Sequence, residues 1–237
     1  MVNYTNRVMI AIQSYMKHEI RWPDSEDRQR SSQFFANLGF PGCIALIDGT
    51  LVKLSQWPKE DGMPGRCHDV TCLRRSSLWQ KMDTSELFEH NQYMLGDSGY
   101  VSHHRLVTAF KNTAGDRDKT DFNTCVAHAR VGNEHCIGIL KARWHSLREL
   151  RTQLRNRKEN AYVVRWIRCC VILHNFLTWK KDEWTEADGP VVLEQEVNFQ
   201  AHIGNERDRN RIGVMRREEV QRYCLDFNRH PGGVLNR

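Results

Sequence analysis

An α/β domain with a small sheet and long helices is the fold class this sequence predicts, and three observations carry it. Two apolar runs of strand length each end on an aspartate: Cys43-Ile44-Ala45-Leu46-Ile47-Asp48 and Tyr93-Met94-Leu95-Gly96-Asp97. From about residue 125 onward, Ile137, Leu140, Trp144, Leu147, Leu150 and Leu154 recur at steps of three and four, the period of a helix with one buried face. A second apolar-rich helix fits residues 160–179.

The other elements follow from local chemistry. Residues 4–21 carry Val8, Ile10, Ile12, Tyr15, Met16 and Ile20 at helical spacing, and Trp22-Pro23 ends the stretch because proline donates no helix hydrogen bond. Asp24 and Ser25 offer caps for a second helix reaching about Leu38. Gly39-Phe40-Pro41-Gly42 reads as a turn, and Cys43 to Leu54 as a strand bent at Asp48-Gly49. Residues 57–66 read as a loop, 68–79 as a helix, 106–110 as a short strand and 112–121 as a polar loop. The long helix is expected over 125–153, a linker over 180–190, and a charged amphipathic segment from about 205. This gives a helical segment over 1–38, a central domain over 39–179, and a linker with tail over 180–237.

The composition is that of a globular chain with a basic balance: 35 Lys and Arg against 29 Asp and Glu, net +6. The excess concentrates between Lys141 and Arg168, which includes Arg143, Arg148, Arg151, Arg155, Arg157, Lys158 and Arg165 against Glu149 and Glu159. Such a stretch suits a polyanion, or is the solvated face of an amphipathic helix. Lys141, Arg143 and Arg148 are the candidate phosphate contacts, giving salt-sensitive affinity without base readout. No apolar run approaches the ~20 residues a bilayer requires, so no membrane association is expected. The N-terminus lacks a signal-peptide layout. The eight cysteines lie mostly in apolar or helical runs and read as reduced thiols. Cys67-His68 with Cys72, and Cys169-Cys170 with His174, lack a paired Cys-x-x-Cys framework, so buried structural cysteine is the favoured reading over zinc.

Three acids stand out. Asp48 and Asp97 close the two strand-like runs, and Glu134 lies on the long basic helix. Singly, each has an ordinary reading: Asp48-Gly49 and Asp97-Ser98-Gly99 as turns, and Glu134 as a surface acid paired with Lys141 or Arg130. Jointly they suit metal-assisted phosphodiester chemistry. Two divalent ions about 3.5–4 Å apart activate an attacking oxygen and stabilise the leaving one, and Mg²⁺ and Mn²⁺ prefer hard carboxylate oxygens.

The chain resembles the DDE transposases of the PIF/Harbinger class and their domesticated relatives. The resemblance rests on residues 39–50 (Gly39-Phe40-Pro41-Gly42 through Asp48-Gly49-Thr50), Pro64-Gly65-Arg66-Cys67-His68-Asp69, Leu95-Gly96-Asp97-Ser98-Gly99-Tyr100, Glu134-His135-Cys136-Ile137-Gly138 through Trp144, and Cys170-Val171-Ile172-Leu173-His174-Asn175. It implies a ribonuclease H-like fold and DNA cleavage dependent on two Mg²⁺ or Mn²⁺ ions. It also implies Asp48, Asp97 and Glu134 as the catalytic and metal-binding triad. DNA is the implied partner, with a separate DNA-binding protein for site recognition. The implied site of action is the nucleus, with cytoplasmic residence when no partner accompanies the chain.

The chain departs from that pattern in one place. Asp97 follows Asp48 by only 49 positions, and Leu54 runs almost directly into Pro64-Gly65. No strand-like run separates Leu54 from Tyr93. The expected sheet therefore lacks its second and third strands, and the strand ending at Asp48 is left with a bare edge open to oligomerisation. Impaired nuclease activity is the leading expectation. A catalytically inactive domesticated transposase that binds DNA or protein is the second.

Overall fold

The computed structural model describes residues 2–54, 69–152, 154–182, 184 and 207–236. In chain order its elements are α1 (Val2–Tyr15), α2 (Ser25–Ala36), β1 (Cys43–Ile47), β2 (Lys53–Leu54), α3 (Asp69–Arg74), α4 (Ser77–Lys81), β3 (Tyr93–Gly96), β4 (Leu106–Thr108), α5 (Arg117–Arg143), β5 (Glu149–Leu150), α6 (Arg157–Trp179) and α7 (Arg207–Asn228). The architecture is mixed α/β, with small parallel sheets among helices. The chain divides into two compact units.

The larger unit takes Pro23–Gly49, Cys67–Asn133 and Glu196–Arg237. Its three-stranded sheet has the order β1-β3-β4, and both pairings are parallel. Among the described residues β1 thus lies beside β3 at the edge of the sheet, as the sequence led us to expect. Asp24 caps α2 by accepting the Asp27 amide at 2.9 Å. One core joins the strands to three helices: Phe35 from α2, Tyr93, Leu95 and Val107 from the sheet, Phe122 and Val126 from α5, and Val220, Cys224 and Leu225 from α7. Phe122 meets Phe40 and Phe110 edge-on, with ring centroids 6.2 and 5.6 Å away.

The smaller unit takes Met1–Trp22, Thr50–Arg66 and Glu134–Gln195. Here α1 packs on α6, and Gln13 donates to the Arg165 carbonyl at 3.0 Å. Asn156 caps α6 through the Lys158 and Glu159 amides. The short parallel pair β2-β5 covers a cluster of Leu150, Leu154 and Val163.

Several expectations are corrected. The stretch 43–54 is two strands in two sheets, because the chain leaves the first ladder at Asp48-Gly49. The helix expected over 68–79 is two short ones, and Ser76 caps the second. The long helix starts earlier, at Arg117, where Asp116 accepts the Lys119 amide at 3.0 Å, and it stops at Arg143. Beyond it Leu147, Leu150 and Leu154 are buried, but in a 3₁₀ turn, a strand and a loop. The three- and four-residue spacing recorded their burial, not a continuing helix. The charged tail contains a 22-residue helix that closes the larger core. The loop 57–66 and most of the linker 180–190 lie outside the described residues. Seven cysteines, Cys43, Cys72, Cys125, Cys136, Cys169, Cys170 and Cys224, are free thiols.

Candidate metal centre

β1 and β3 run in register, with Ile47 opposite Gly96. The next residue on each strand is an aspartate, so Asp48 and Asp97 leave the sheet side by side at its carboxyl edge. That edge is where open parallel sheets collect ligands. Both side chains are half-buried. Local amides orient them: Asp48 Oδ1 accepts the Gly49 N–H at 2.9 Å, and Asp97 Oδ1 accepts the Gly99 N–H at 3.0 Å.

A third carboxylate joins them. Asp69, the first residue of α3, occupies the space that a Cβ on Gly49 would take. Its Oδ2 lies 3.5 Å from the Cβ position of Gly99, and the Asp97 oxygens lie 3.1 and 3.2 Å from the same point. Buried Tyr100 senses the whole group. Its hydroxyl is pushed far above the ordinary phenol range, first by burial and then by the negative charges of Asp69, Asp97 and Asp48. Asp69 ends the Pro64–Asp69 string, and nothing in the sequence marks it as a site residue. A lone acid at the start of a short helix carries no periodic signal.

One cation is built into the cluster. Arg130 on α5 is 4 % exposed, and its Nη2 lies 3.0 Å from Asp48 Oδ2. Glu134 follows Arg130 by one helical turn on the same face of α5, is half-buried, and is the first residue that counts with the smaller unit.

The three basic residues read as phosphate contacts have different surroundings. Lys141 is buried, and its Nζ donates to the Leu51 carbonyl at 2.7 Å. Arg143 is 9 % exposed in its side chain, lies 3.5 Å from the Asp182 carboxylate and stacks over the Trp184 ring at 6.0 Å. Arg148 is exposed.

The sequence reading missed a different group of donors altogether. Asp83, His103 and His104 each bring one ligand atom within 4.8 Å of the others, the one such trio among the described residues. His103 and His104 are adjacent and Asp83 lies twenty residues earlier, so no short-spaced motif announces them. No helix among the described residues is long and apolar enough to cross a membrane.

The family described as DDE superfamily endonuclease matches residues 50–175, a span that begins just past Asp48 and includes Asp69, Asp97 and Glu134. Among curated proteins, the chain is similar to Protein ALP1-like of Arabidopsis thaliana, 23% identical over 225 residues, covering 77% of this chain and 54% of that protein. The chain thus spans about half the length of that relative. No solved structure matches it. With the family matched over more than half of its length, this chain belongs to the DDE superfamily endonucleases.

Proposed function

We propose that the chain is a transposase-derived, metal-dependent DNA endonuclease domain of the Harbinger type, with activity lowered by the loss of two sheet strands. The observation that carries this reading is the register of β1 and β3, which sets Asp48 and Asp97 on neighbouring strand ends beside Asp69. The order β1-β3-β4, all parallel, is what a ribonuclease H-like sheet leaves once its antiparallel second and third strands are removed.

The donor chemistry suits a hard divalent ion, since Asp48, Asp69 and Asp97 all offer carboxylate oxygens. When bound, a Mg²⁺ or Mn²⁺ pair would supply an activated water and a counter-charge for the leaving oxygen. Asp48 and Asp97 would hold those ions, with Glu134 as the third ligand that the family pattern names. Asp69 supplies a further negative oxygen against Gly49 and Gly99. The amides of Gly49 and Gly99 hold the two strand-end carboxylates in a set orientation, so less ordering is left for binding. Exposed Arg148 is the candidate for the sequence-independent hold on the DNA backbone. The site of action would be nuclear, with target recognition by a separate DNA-binding partner.

The Arg130–Asp48 ion pair favours a second reading, a DNA- or protein-binding domain that cleaves nothing. The guanidinium already supplies positive charge where an ion would sit. Nicking of supercoiled plasmid with Mn²⁺ separates the two. Nicking by the native chain that disappears in Asp97→Asn supports the endonuclease. Equal traces in both proteins, with DNA still bound, would sink it.

A further inference from the structure

We propose that Asp83, His103 and His104 form a second cation site, separate from the carboxylate cluster and selective for zinc-class ions over magnesium. Two imidazole nitrogens and one carboxylate oxygen suit Zn²⁺, Co²⁺ or Ni²⁺, whereas Mg²⁺ prefers oxygen alone. The spacing agrees. Asp83 Oδ1 lies 3.1 Å from His103 Nε2 and 3.8 Å from His104 Nδ1. Bonds of about 2.0–2.1 Å in a tetrahedron put ligand atoms about 3.3 Å apart, between those two values. Three protein donors leave the fourth position for water.

The site is half-built into the fold. His103 is 3 % exposed, and its ring sits between Trp79 at 5.3 Å and His104 at 4.3 Å. Its backbone exchanges two hydrogen bonds with Leu106, at 2.8 and 2.9 Å, which locks the turn into β4. The His104 and Asp83 side chains are 36% and 40% exposed, so an ion reaches the site from solvent.

One feature sets the affinity. His103 Nδ1 accepts the Arg105 amide at 3.2 Å, so the neutral ring carries its proton on Nε2, facing Asp83. An ion at Nε2 displaces that proton to Nδ1 and costs the Arg105 hydrogen bond, a loss of about fivefold in binding. The site is therefore weaker than a structural zinc centre. A bound ion would join the segment after α4 to the β3–β4 connection, whose other end carries Asp97.

The test uses the full chain, stripped with chelator and titrated with Co²⁺ and then Zn²⁺. One tetrahedral Co²⁺ per chain is expected, read from intense visible bands that an ion held by carboxylates in an octahedron lacks, displaced by Zn²⁺ and untouched by millimolar Mg²⁺. His104→Gln and Asp83→Asn change a half-buried and an exposed residue, and circular dichroism should show the fold intact. Each should weaken Co²⁺ binding by about tenfold or more, while Asp97→Asn leaves it unchanged. That last arm keeps this site's failure distinct from failure of the endonuclease reading. Absence of Co²⁺ binding to the native chain overturns the proposal. So do tetrahedral bands that survive in His103→Gln/His104→Gln, or a strong near-ultraviolet thiolate band showing cysteine ligands instead.

Discussion

Arg130 Nη2 lies 3.0 Å from Asp48 Oδ2, and the two side chains are 5% and 16% exposed. A chain that gathers Asp48, Asp69 and Asp97 faces mutual repulsion unless a cation is present, and Arg130 is a cation that the fold itself sets against Asp48. Replacing Arg130 with Met removes that charge and leaves the carboxylates facing one another. Breaking a buried pair from one side costs about 3–5 kcal/mol. The lower end is expected, because Asp48 keeps the Gly49 amide and some solvent. Urea unfolding in EDTA should show a loss of about 3 kcal/mol, and Mn²⁺ should restore part of it. A loss that Mn²⁺ leaves untouched would show that the cluster does not take an ion.

Gly49 is the tightest joint in that cluster. Alanine there places a methyl group where the Asp69 carboxylate now sits. Either Asp69 moves or the strand end does. Overpacking of this kind costs about 1–3 kcal/mol, but the sharper readout is metal. The native chain is expected to gain melting temperature on Mn²⁺ binding, and Gly49→Ala should lose most of that gain. Unaltered Mn²⁺ stabilisation in the variant would place Asp69 outside the metal-holding group.

How much of this was legible depends on range. Asp48 and Asp97 were readable because each ends an apolar run, and strand ends in a parallel sheet share one edge. The pairing of β1 with β3 followed from the lack of any strand-like run between Leu54 and Tyr93 in the sequence. Asp69 was not readable as a site residue, because only the packing of α3 brings it to Gly49. The part played by α7 was hidden for the same reason. Val220, Cys224 and Leu225 look like scattered apolar residues among charges until Phe35, Phe40 and Phe122 are seen against them. Lys141 misled in the opposite direction: its charge suggested solvent, but its Nζ is spent on the Leu51 carbonyl.

Two helical glycines in the larger unit make opposite predictions. Nothing lies within 4 Å of a Cβ built on Gly132 of α5. Gly132→Ala should therefore stabilise by up to about 1 kcal/mol through helix propensity alone. Gly213 of α7 rests on the backbone of Ser102 and His103, with the His103 nitrogen 2.7 Å from its Cβ position. Neighbouring backbone cannot swing aside, so Gly213→Ala should push α7 outward and cost about 1–3 kcal/mol. Urea midpoints of the two variants should move in opposite directions. A shared direction would refute the close seat of α7 on this loop.

His174 gives the smaller unit a pH dependence of defined sign. It is buried on α6, with Nε2 3.7 Å from the Cys136 sulfur. Folding lowers its pKa below the ordinary 6.5, first because burial disfavours the cation and then because Arg143 repels it. The unfolded chain therefore binds the proton more readily. Above about pH 6.5 both states are neutral at this residue and it contributes no slope. As pH falls through 6.5 the unfolded state gains protons first, and stability is lost until pH passes the lower folded pKa. Replacing His174 with Gln removes the titrating group while keeping a polar side chain of similar reach. Urea midpoints measured between about pH 8 and about pH 5 should fall less steeply for His174→Gln than for the native chain. Parallel curves would mean that His174 takes up its proton equally well in the folded chain, contrary to its burial beside Arg143.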